Sequence, residues 1–187
     1  TKDFVVKNDY FHHEIKKLIA EPFFDVGYSN ESGLRELVQR AGSTMDQIEL
    51  DVERTIVDRF LQEVMQANPK ATYGEVMIRS ALDQGAVETL LISEAVTKRR
   101  VKWICKECKN TWKTSHDKSS APPNCPQCGS DKAFEDEKDS MELIDELTVL
   151  AGHTSAKVRI ISLDTEEGAT LNTAFGGIAA LLRYAIS

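Results

Sequence analysis

The sequence predicts an α/β fold, an α-β-α sandwich that carries an inserted zinc ribbon. Two observations indicate this fold class. Segments with helical periodicity alternate with short apolar runs over most of the chain, a pattern typical of helices and strands that share one core. Between one such strand and the next helix, four cysteines occur as two identical pairs. A loop can accept an insertion of this kind because the sheet does not depend on it.

Residues 1–42 form the first segment, which we expect to be a piece of another domain. Apolar residues within 10–19 have helical spacing, PFFDVGY (22–28) is typical of a strand, and SGLRELVQRA (32–41) is typical of a helix. Gly42 either ends this helix or bends it. One strand and two helices bury too little surface to form a core alone. Because the first residue is not Met, we expect a fragment or a processed chain.

Residues 43–187 contain the predicted sandwich. A long amphipathic helix is expected over 43–66, and the residues from Thr72 to Glu75 match a capping box that indicates the start of a second helix. The other expected elements are a strand over 86–93, a helix from Asp139 to Gly152, a strand over 156–163, a helix from Thr165 to Gly176, and a strand or short apolar element over 178–184. The first helix has a predicted acidic outer face, formed by Asp46, Glu49, Asp51, Glu53, Asp58 and Glu63.

The insertion, residues 100–135, contains every cysteine of the chain: Cys105, Cys108, Cys125 and Cys128. Two residues between the members of a pair allow a tight turn to direct both sulfurs at one point, and two such turns provide the four thiolates of a tetrahedral zinc site. We therefore expect one structural zinc ion per chain. Short strands in VKWI, NTWKT and KAFED should frame the site, with a miniature core of Trp103, Trp112 and Phe134, and His116 is expected in a solvated loop.

Two other uses of the four cysteines stay open at this stage. A pair of disulfides would require an oxidising compartment, and no signal-peptide pattern opens the chain. Four thiolates also suit iron. Either metal would be fully coordinated by protein, which leaves no open position for a substrate, so a zinc-dependent hydrolase is not expected.

Charge is unevenly distributed along the chain, whose net charge is −7. Residues 99–132 contain eight Lys or Arg and three acids, a local charge of +5, so the remainder carries −12. The cations of the ribbon can balance the thiolates, or they can contact RNA phosphates or an acidic protein. No apolar run approaches the roughly 20 residues of a membrane helix, and we expect a cytoplasmic monomer without a membrane partner.

Three stretches resemble one family of translation factors. GYSNESGLRELVQRA (27–41), YGEVMIRSALDQGAVETLLISE (73–94) and FGGIAALLRY (175–184) are similar to the C-terminal half of the archaeal and eukaryotic peptide chain release factors. The ribosome-rescue factor Pelota shares the last two stretches more loosely. Four cysteines inserted after LLISE resemble the archaeal members, whose minidomain carries zinc.

This resemblance implies a function in translation termination. It places residues 1–42 at the end of the family's middle domain and residues 43–187 in its C-terminal domain, whose core is similar to a ribosomal-protein fold that binds kinked RNA. The catalytic Gly-Gly-Gln triplet of the middle domain is absent, because Gly176 and Gly177 are followed by Ile178. The chain is therefore expected to be a non-enzymatic binding module.

The partners that the resemblance implies are a translational GTPase of the elongation-factor type, the ribosome and the ribosome-recycling ATPase, with a possible contact between the basic ribbon and ribosomal RNA. Two alternatives stay open here. One is the equivalent part of a rescue factor of the Pelota type, and the other is a stand-alone zinc ribbon that binds RNA.

Overall fold

The computed structural model describes residues 12, 14 and 23–186, and no helix among them is long and apolar enough to cross a membrane. The chain divides into two compact units, Thr1–Glu49 and Leu50–Ser187. The helix that the sequence predicts over residues 10–19 lies outside the described residues apart from His12 and Glu14.

The first unit contains an extended segment and the beginning of helix α1 (Glu31–Val64). The strand predicted over 22–28 is wrong for the described residues 23–28, which pair with no other strand described in the structure. Side chains of α1 hold this segment instead: Arg40 Nη1 donates to the carbonyl oxygen of Asp25 at 2.8 Å, and Glu36 Oε2 accepts from the N–H of Gly27 at 3.3 Å.

Helix α1 continues through Gly42, so of the two possibilities left open at this glycine the helix end is wrong. A glycine inside a helix costs about 1 kcal/mol relative to alanine, which good helix formers on both sides can offset. Ion pairs between residues one helical turn apart also stabilise the helix: Arg35 with Glu31, and Arg40 with Glu36. The second half of the helix belongs to the second unit, where Val57 and Phe60 are fully buried.

The second unit contains two sheets and the remaining helices. Its strands are β1 (Ala71–Tyr73), β2 (Val87–Ser93), β3 (Arg99–Cys105), β4 (Thr111–His116), β5 (Ala133–Glu135), β6 (Met141–Glu142), β7 (Lys157–Ile161) and β8 (Ile178–Leu182). Its other helices are α2 (Glu75–Asp83), α3 (Leu143–His153) and α4 (Glu166–Phe175).

The main sheet has the strand order β1-β8-β2-β7, with β7 parallel to β2 and the other neighbours antiparallel. Successive side chains of a strand point to opposite faces. Leu90 and Ile92 of β2 accordingly pack with α2 and α3, whereas Leu91 packs with α1 and α4. Helices therefore cover both faces of the sheet, as the alternating pattern of the sequence predicts.

The second sheet is the inserted one, and it runs from Arg99 to Glu142. Its order is β4-β3-β5, and β6 pairs with the beginning of β3 at Arg99 and Arg100. Strand β3 is thus hydrogen-bonded along both edges, by β4 on one side and by β5 and β6 on the other. The strands predicted from VKWI, NTWKT and KAFED are confirmed as β3, β4 and β5.

Two of the predicted helix starts are wrong. Thr72 does not cap α2, because it lies in β1 opposite Ala180, and the N-cap position is Gly74 with a φ of 80° and no side-chain cap. Asp139 lies in a 3₁₀ turn, and α3 begins only at Leu143, after β6 has paired with β3. In both places a short strand takes residues that local capping rules assign to a helix.

The predicted cap of α4 is confirmed, since Thr165 Oγ1 accepts from the N–H of Gly168 at 3.0 Å. The acidic face predicted for α1 is wrong at one position. Glu53 is 9% exposed and points inward, where its Oε2 accepts from the backbone N–H of Ser162 at 2.9 Å.

A matched pair of glycine substitutions tests how closely α4 packs on the main sheet. A Cβ on Gly168 would lie 1.9 Å from the carbonyl oxygen of Ser162, whereas one on Gly152 in α3 would meet nothing within 4 Å. We expect Gly168→Ala to lower the free energy of unfolding by about 1–3 kcal/mol through overpacking. Gly152→Ala should raise it by about 0.5–1 kcal/mol, because alanine loses less backbone entropy. Urea unfolding of both variants measures the difference, and equal effects would contradict the packing described.

Candidate metal centre

Two turns of the inserted sheet position the four cysteines. Cys105 ends β3, and its N–H donates to the carbonyl oxygen of Asn110 at 2.9 Å, while its carbonyl accepts from the N–H of Lys109 at 3.1 Å. The second turn repeats this pattern, since the N–H of Cys125 donates to Ser130 at 2.8 Å and its carbonyl accepts from Gly129 at 2.9 Å. The two pairs therefore fold in the same way, as their identical spacing predicts.

Each turn has a left-handed residue directly after its second cysteine. Lys109 has a φ of 61° and Gly129 a φ of 72°. This conformation costs a residue with a side chain roughly 1–2 kcal/mol but is readily adopted by glycine. The first turn is consequently the more strained of the two.

The four sulfurs meet at one point, with all Sγ atoms within 4.8 Å of one another. The Sγ atoms of Cys105 and Cys128 are 3.6 Å apart, and those of Cys108 and Cys125 are also 3.6 Å apart. A tetrahedral ion with Zn–S bonds of about 2.3 Å requires sulfurs about 3.8 Å apart. The arrangement therefore fits a zinc ion, and all four residues are free thiols rather than disulfides.

Burial differs within each pair. Cys105 and Cys125 are buried, whereas Cys108 and Cys128 face solvent. Backbone N–H groups of Cys108 and Glu107 directed at its sulfur lower the pKa of Cys105. Burial raises the pKa of Cys125, but the N–H groups of Cys128 and Gln127 outweigh it and bring this pKa to about 6. The two inner sulfurs are therefore the ones that ionise first.

The outer sulfurs hold their protons more firmly. The pKa of Cys128 rises to about 12 even though the N–H of Ser130 lowers it, because the sulfur of Cys108, burial and the other two sulfurs oppose a further negative charge. The pKa of Cys108 is also raised: burial and the sulfurs of Cys125 and Cys105 outweigh the N–H of Asn110, which acts in the opposite direction. Four sulfurs this close together can all ionise only around a cation.

The miniature core predicted beside the cysteines is only partly present. Trp103 is 4% exposed, and its Nε1 donates to Thr114 Oγ1 at 3.0 Å. Phe134, in contrast, is 42% exposed, so its assignment to the core is wrong; it lies on the opposite face of the sheet, beneath Lys106. His116 is wrong as a loop residue, because it ends β4 and packs edge-to-face on Trp103 with ring centroids 5.1 Å apart.

Most cations of the ribbon form ion pairs. Arg99 contacts Glu135 at 2.8 Å, Lys102 contacts Asp139 at 2.6 Å, and the other pairs are Arg100–Glu75, Lys118–Glu142 and Lys132–Glu107. Of the eight cations counted in the sequence, Lys106, Lys109 and Lys113 form no ion pair with the described residues. The local charge of +5 therefore overstates the charge available to a partner.

A network of two arginines and two glutamates joins the ribbon to the main sheet and its helices. Arg79 of α2 contacts Glu75 at 2.9 Å and Glu146 of α3 at 2.5 Å. Arg100 of β3 lies 3.5 Å from Glu75 and 3.8 Å from Glu146, and the hydroxyl of Ser115 in β4 donates to Glu75 at 2.5 Å. The side chains of the four charged residues are only 20–21% exposed. This network was not predicted from the sequence, although the pair Arg99-Arg100 at the start of β3 supplies its ribbon cation.

The family of the chain follows from its similarity to known proteins. A family profile described as eRF1 domain 3 matches residues 50–186, which is most of the chain and coincides with the second compact unit. The chain belongs to the eRF1 domain 3 family. It therefore shares this domain with proteins named peptide chain release factor subunit 1.

Two relatives of this name illustrate the likeness to eRF1 proteins. The protein from Methanococcoides burtonii is 39% identical over 189 residues, with 98% of this chain and 45% of the relative covered. The protein from Thermococcus onnurineus is 41% identical over 193 residues, with 100% of this chain and 45% of the relative covered. The chain thus spans about 45% of the length of these relatives.

Solved structures agree with the eRF1 domain 3 assignment. The C-terminal domain of a peptide chain release factor from Methanosarcina mazei has a TM-score of 0.69 and 38% identity, with 84% of this chain and 98% of that one covered. A model of ribosome-bound archaeal Pelota and ABCE1 has a TM-score of 0.54 and 19% identity, with 98% of this chain and 42% of that chain covered. The second likeness shows the fold alone.

Substituting Arg100 tests whether the charge network holds the ribbon in place. Arg100→Met removes one of two cations that serve two half-buried carboxylates, so we expect the free energy of unfolding to fall by about 1–3 kcal/mol. The control is Lys113→Met, which removes a cation without an ion pair on the same sheet and should change stability by less than about 0.5 kcal/mol. Urea unfolding at two salt concentrations provides both values. Equal small effects would show that the network contributes nothing.

Proposed function

We propose that this chain is the C-terminal, partner-binding part of a peptide chain release factor and acts in translation termination. The observation that carries the proposal is the 39–41% identity over nearly the whole chain to proteins named peptide chain release factor subunit 1. Two archaeal Pelota structures of similar fold are 22% and 19% identical to the chain. The 38% identity to the C-terminal domain of the Methanosarcina mazei release factor favours the release factor over the rescue factor. In this proposal residues 1–42 end a middle domain, and residues 43–187 form the C-terminal domain.

We further propose that Cys105, Cys108, Cys125 and Cys128 hold one structural zinc ion in a ribbon over residues 100–135. The separations between their sulfur atoms support it, as do the two turns with matching hydrogen bonds. Four thiolates complete the coordination of zinc, so the ion would stabilise the ribbon and leave no open position for chemistry. Arg100 of the ribbon contacts helices α2 and α3 of the second unit, an arrangement that a stand-alone RNA-binding module would not have.

Metal analysis tests the zinc proposal. We expect about one zinc per chain, and Cys108→Ser should lose it. Because metal binding and folding of the ribbon are coupled, this variant should lose the near-ultraviolet signal of Trp103 and Trp112. Far-ultraviolet signal from the helices should persist, since α1 to α4 lie outside the ribbon. A zinc-free wild-type protein with intact thiols, or retention of zinc by the variant, would contradict the proposal.

The proposed partners are a translational GTPase, the ribosome and the recycling ATPase, and the proposed location is the cytoplasm, where the chain would act as a monomer. A Pelota of the same fold is bound to the ribosome with ABCE1, which supports partners of this class. We place the GTPase-binding surface on the main sheet and its helices, which carry the excess of negative charge, rather than on the ribbon. Contact between the ribbon and ribosomal RNA would depend on its three unpaired lysines.

Calorimetric titration with an archaeal GTPase of the elongation-factor type tests both the function and the surface. We expect saturable binding that Asp58→Lys, on the exposed face of α1, weakens about three- to tenfold. The effect should shrink as salt is added, because exposed charges are screened over about 8 Å at physiological ionic strength. Lys109→Glu, a charge reversal of equal size and opposite sign on the ribbon, is the control and should leave binding unchanged.

Two results would contradict this proposal. The first is that Lys109→Glu abolishes GTPase binding while Asp58→Lys does not, which would move the surface to the ribbon. The second is that the chain alone releases peptide from stalled termination complexes above background. The proposal expects none, because the sequence has no Gly-Gly-Gln triplet.

A further inference from the structure

The outer edge of β7 is an open strand edge of the main sheet. Strand β7 pairs with β2 on one side, and no described residue pairs with its other side. It is five residues long, Lys157–Ile161, and three of the five are exposed. Such an edge presents backbone donors and acceptors to solvent.

Hydrogen bonds at the end of the strand show which backbone groups point outward. The N–H of Glu94, directly after β2, donates to the carbonyl oxygen of Ile161 at 3.0 Å. The N–H and C=O groups of successive residues in a strand point alternately to one edge and to the other. Those of Ile161, Arg159 and Lys157 therefore point toward β2. Those of Val158 and Ile160 point away from β2, toward the open edge. The next outward N–H, that of Ser162, is already bound by Glu53. The open stretch therefore offers two donors and two acceptors and has a defined end.

Side chains of β7 divide into a basic face and an apolar face. Lys157 and Arg159 are exposed and form no ion pair with the described residues; Arg159 lies opposite Leu91, on the face covered by α1 and α4. Val158 packs against the core on the other face, and Ile160 beside it is 45% exposed. An added strand would meet two cations on one side and an apolar surface on the other.

We propose that this edge binds an extended segment of a protein partner as a fifth strand of the main sheet, and that the segment alternates acidic and apolar residues. Backbone hydrogen bonds to Val158 and Ile160 would provide affinity, and the alternation would provide specificity. Its acidic side chains would lie beside Lys157 and Arg159, the only cations of the strand. A second copy of this chain is disfavoured as the occupant, because pairing β7 with itself would place like charges on neighbouring strands.

This edge carries Lys157 and Arg159 and is basic, whereas the surface proposed for the GTPase is the acidic part of the main sheet and its helices, so the test of the edge does not depend on that proposal. The probe is a fluorescein-labelled synthetic peptide, Gly-Glu-Val-Glu-Ile-Glu-Gly, with Gly-Lys-Val-Lys-Ile-Lys-Gly as its charge-reversed partner. Fluorescence anisotropy with the full chain should show saturable binding of the acidic peptide at least about tenfold tighter than that of the basic one. Methylation of the peptide nitrogens that face the edge should abolish binding, because it removes the strand hydrogen bonds.

Two protein variants separate backbone pairing from side-chain attraction. Ile160→Pro removes one outward N–H while leaving the bonds to β2 in place, and it should weaken binding about tenfold or more. Ile160→Ala retains that N–H and is the control, with an expected loss below about threefold. The double variant Lys157→Glu and Arg159→Glu should reverse the preference and bind the basic peptide. Thermal unfolding verifies that each variant is folded.

The results that overturn the proposal are equally definite. Equal binding of the acidic and basic peptides would contradict recognition by charge. Wild-type affinity of the Ile160→Pro variant, or of the methylated peptide, would contradict binding by strand addition. Absence of saturable binding up to about 1 mM peptide would exclude an affinity of biological use at this edge.

Discussion

Strand β3 is the constraint on which the placement of the metal centre depends. Its second residue, Arg100, contacts Glu75 and Glu146 on two helices of the main sheet, and its last residue is Cys105. Five residues of extended chain separate the two, about 17 Å. Because β3 is hydrogen-bonded on both edges, it transmits the position of the charge network to the first cysteine. The ribbon is therefore fixed to the rest of the second unit at one end and closed by its cysteines at the other.

Strands with a long, continuous run of apolar residues were predictable from the sequence. Strands β2 and β8 are apolar along most of their length because helices cover both faces of the sheet, and a continuous apolar run bounded by glycine is a strong signal for such a strand. The spacing of the cysteines was similarly informative, since two Cys-x2-Cys turns can bring four sulfurs to one point. Their convergence within 4.8 Å is what that pattern predicts.

The wrong predictions concern very short strands and ion pairs between residues that are far apart in sequence. Strands β1 and β6 have three and two residues, too few to show a period, and both occupy positions that capping rules assign to helix starts. The carboxylates that pair with the ribbon cations could not be predicted from the sequence either. Glu75 and Glu146 are 25 and 46 residues from Arg100 in sequence, and only the docking of the ribbon brings them together. A local count of charge cannot include acids that arrive from elsewhere in the fold.

These ion pairs reduce the positive charge that the ribbon can offer to an outside partner. Five of its eight cations are satisfied by carboxylates, and two of the other three, Lys106 and Lys109, lie within two residues of Cys108. With the proposed zinc ion, four thiolates carry a net charge of −2, which these two lysines match. Lys113 alone is then left for an outside partner, on the same face of the sheet as the exposed ring of Phe134 but two strands away. One cation supports little attraction to a phosphate backbone, so the arrangement of charges favours a ribbon that is bound firmly to its own protein over one that depends on RNA for its place.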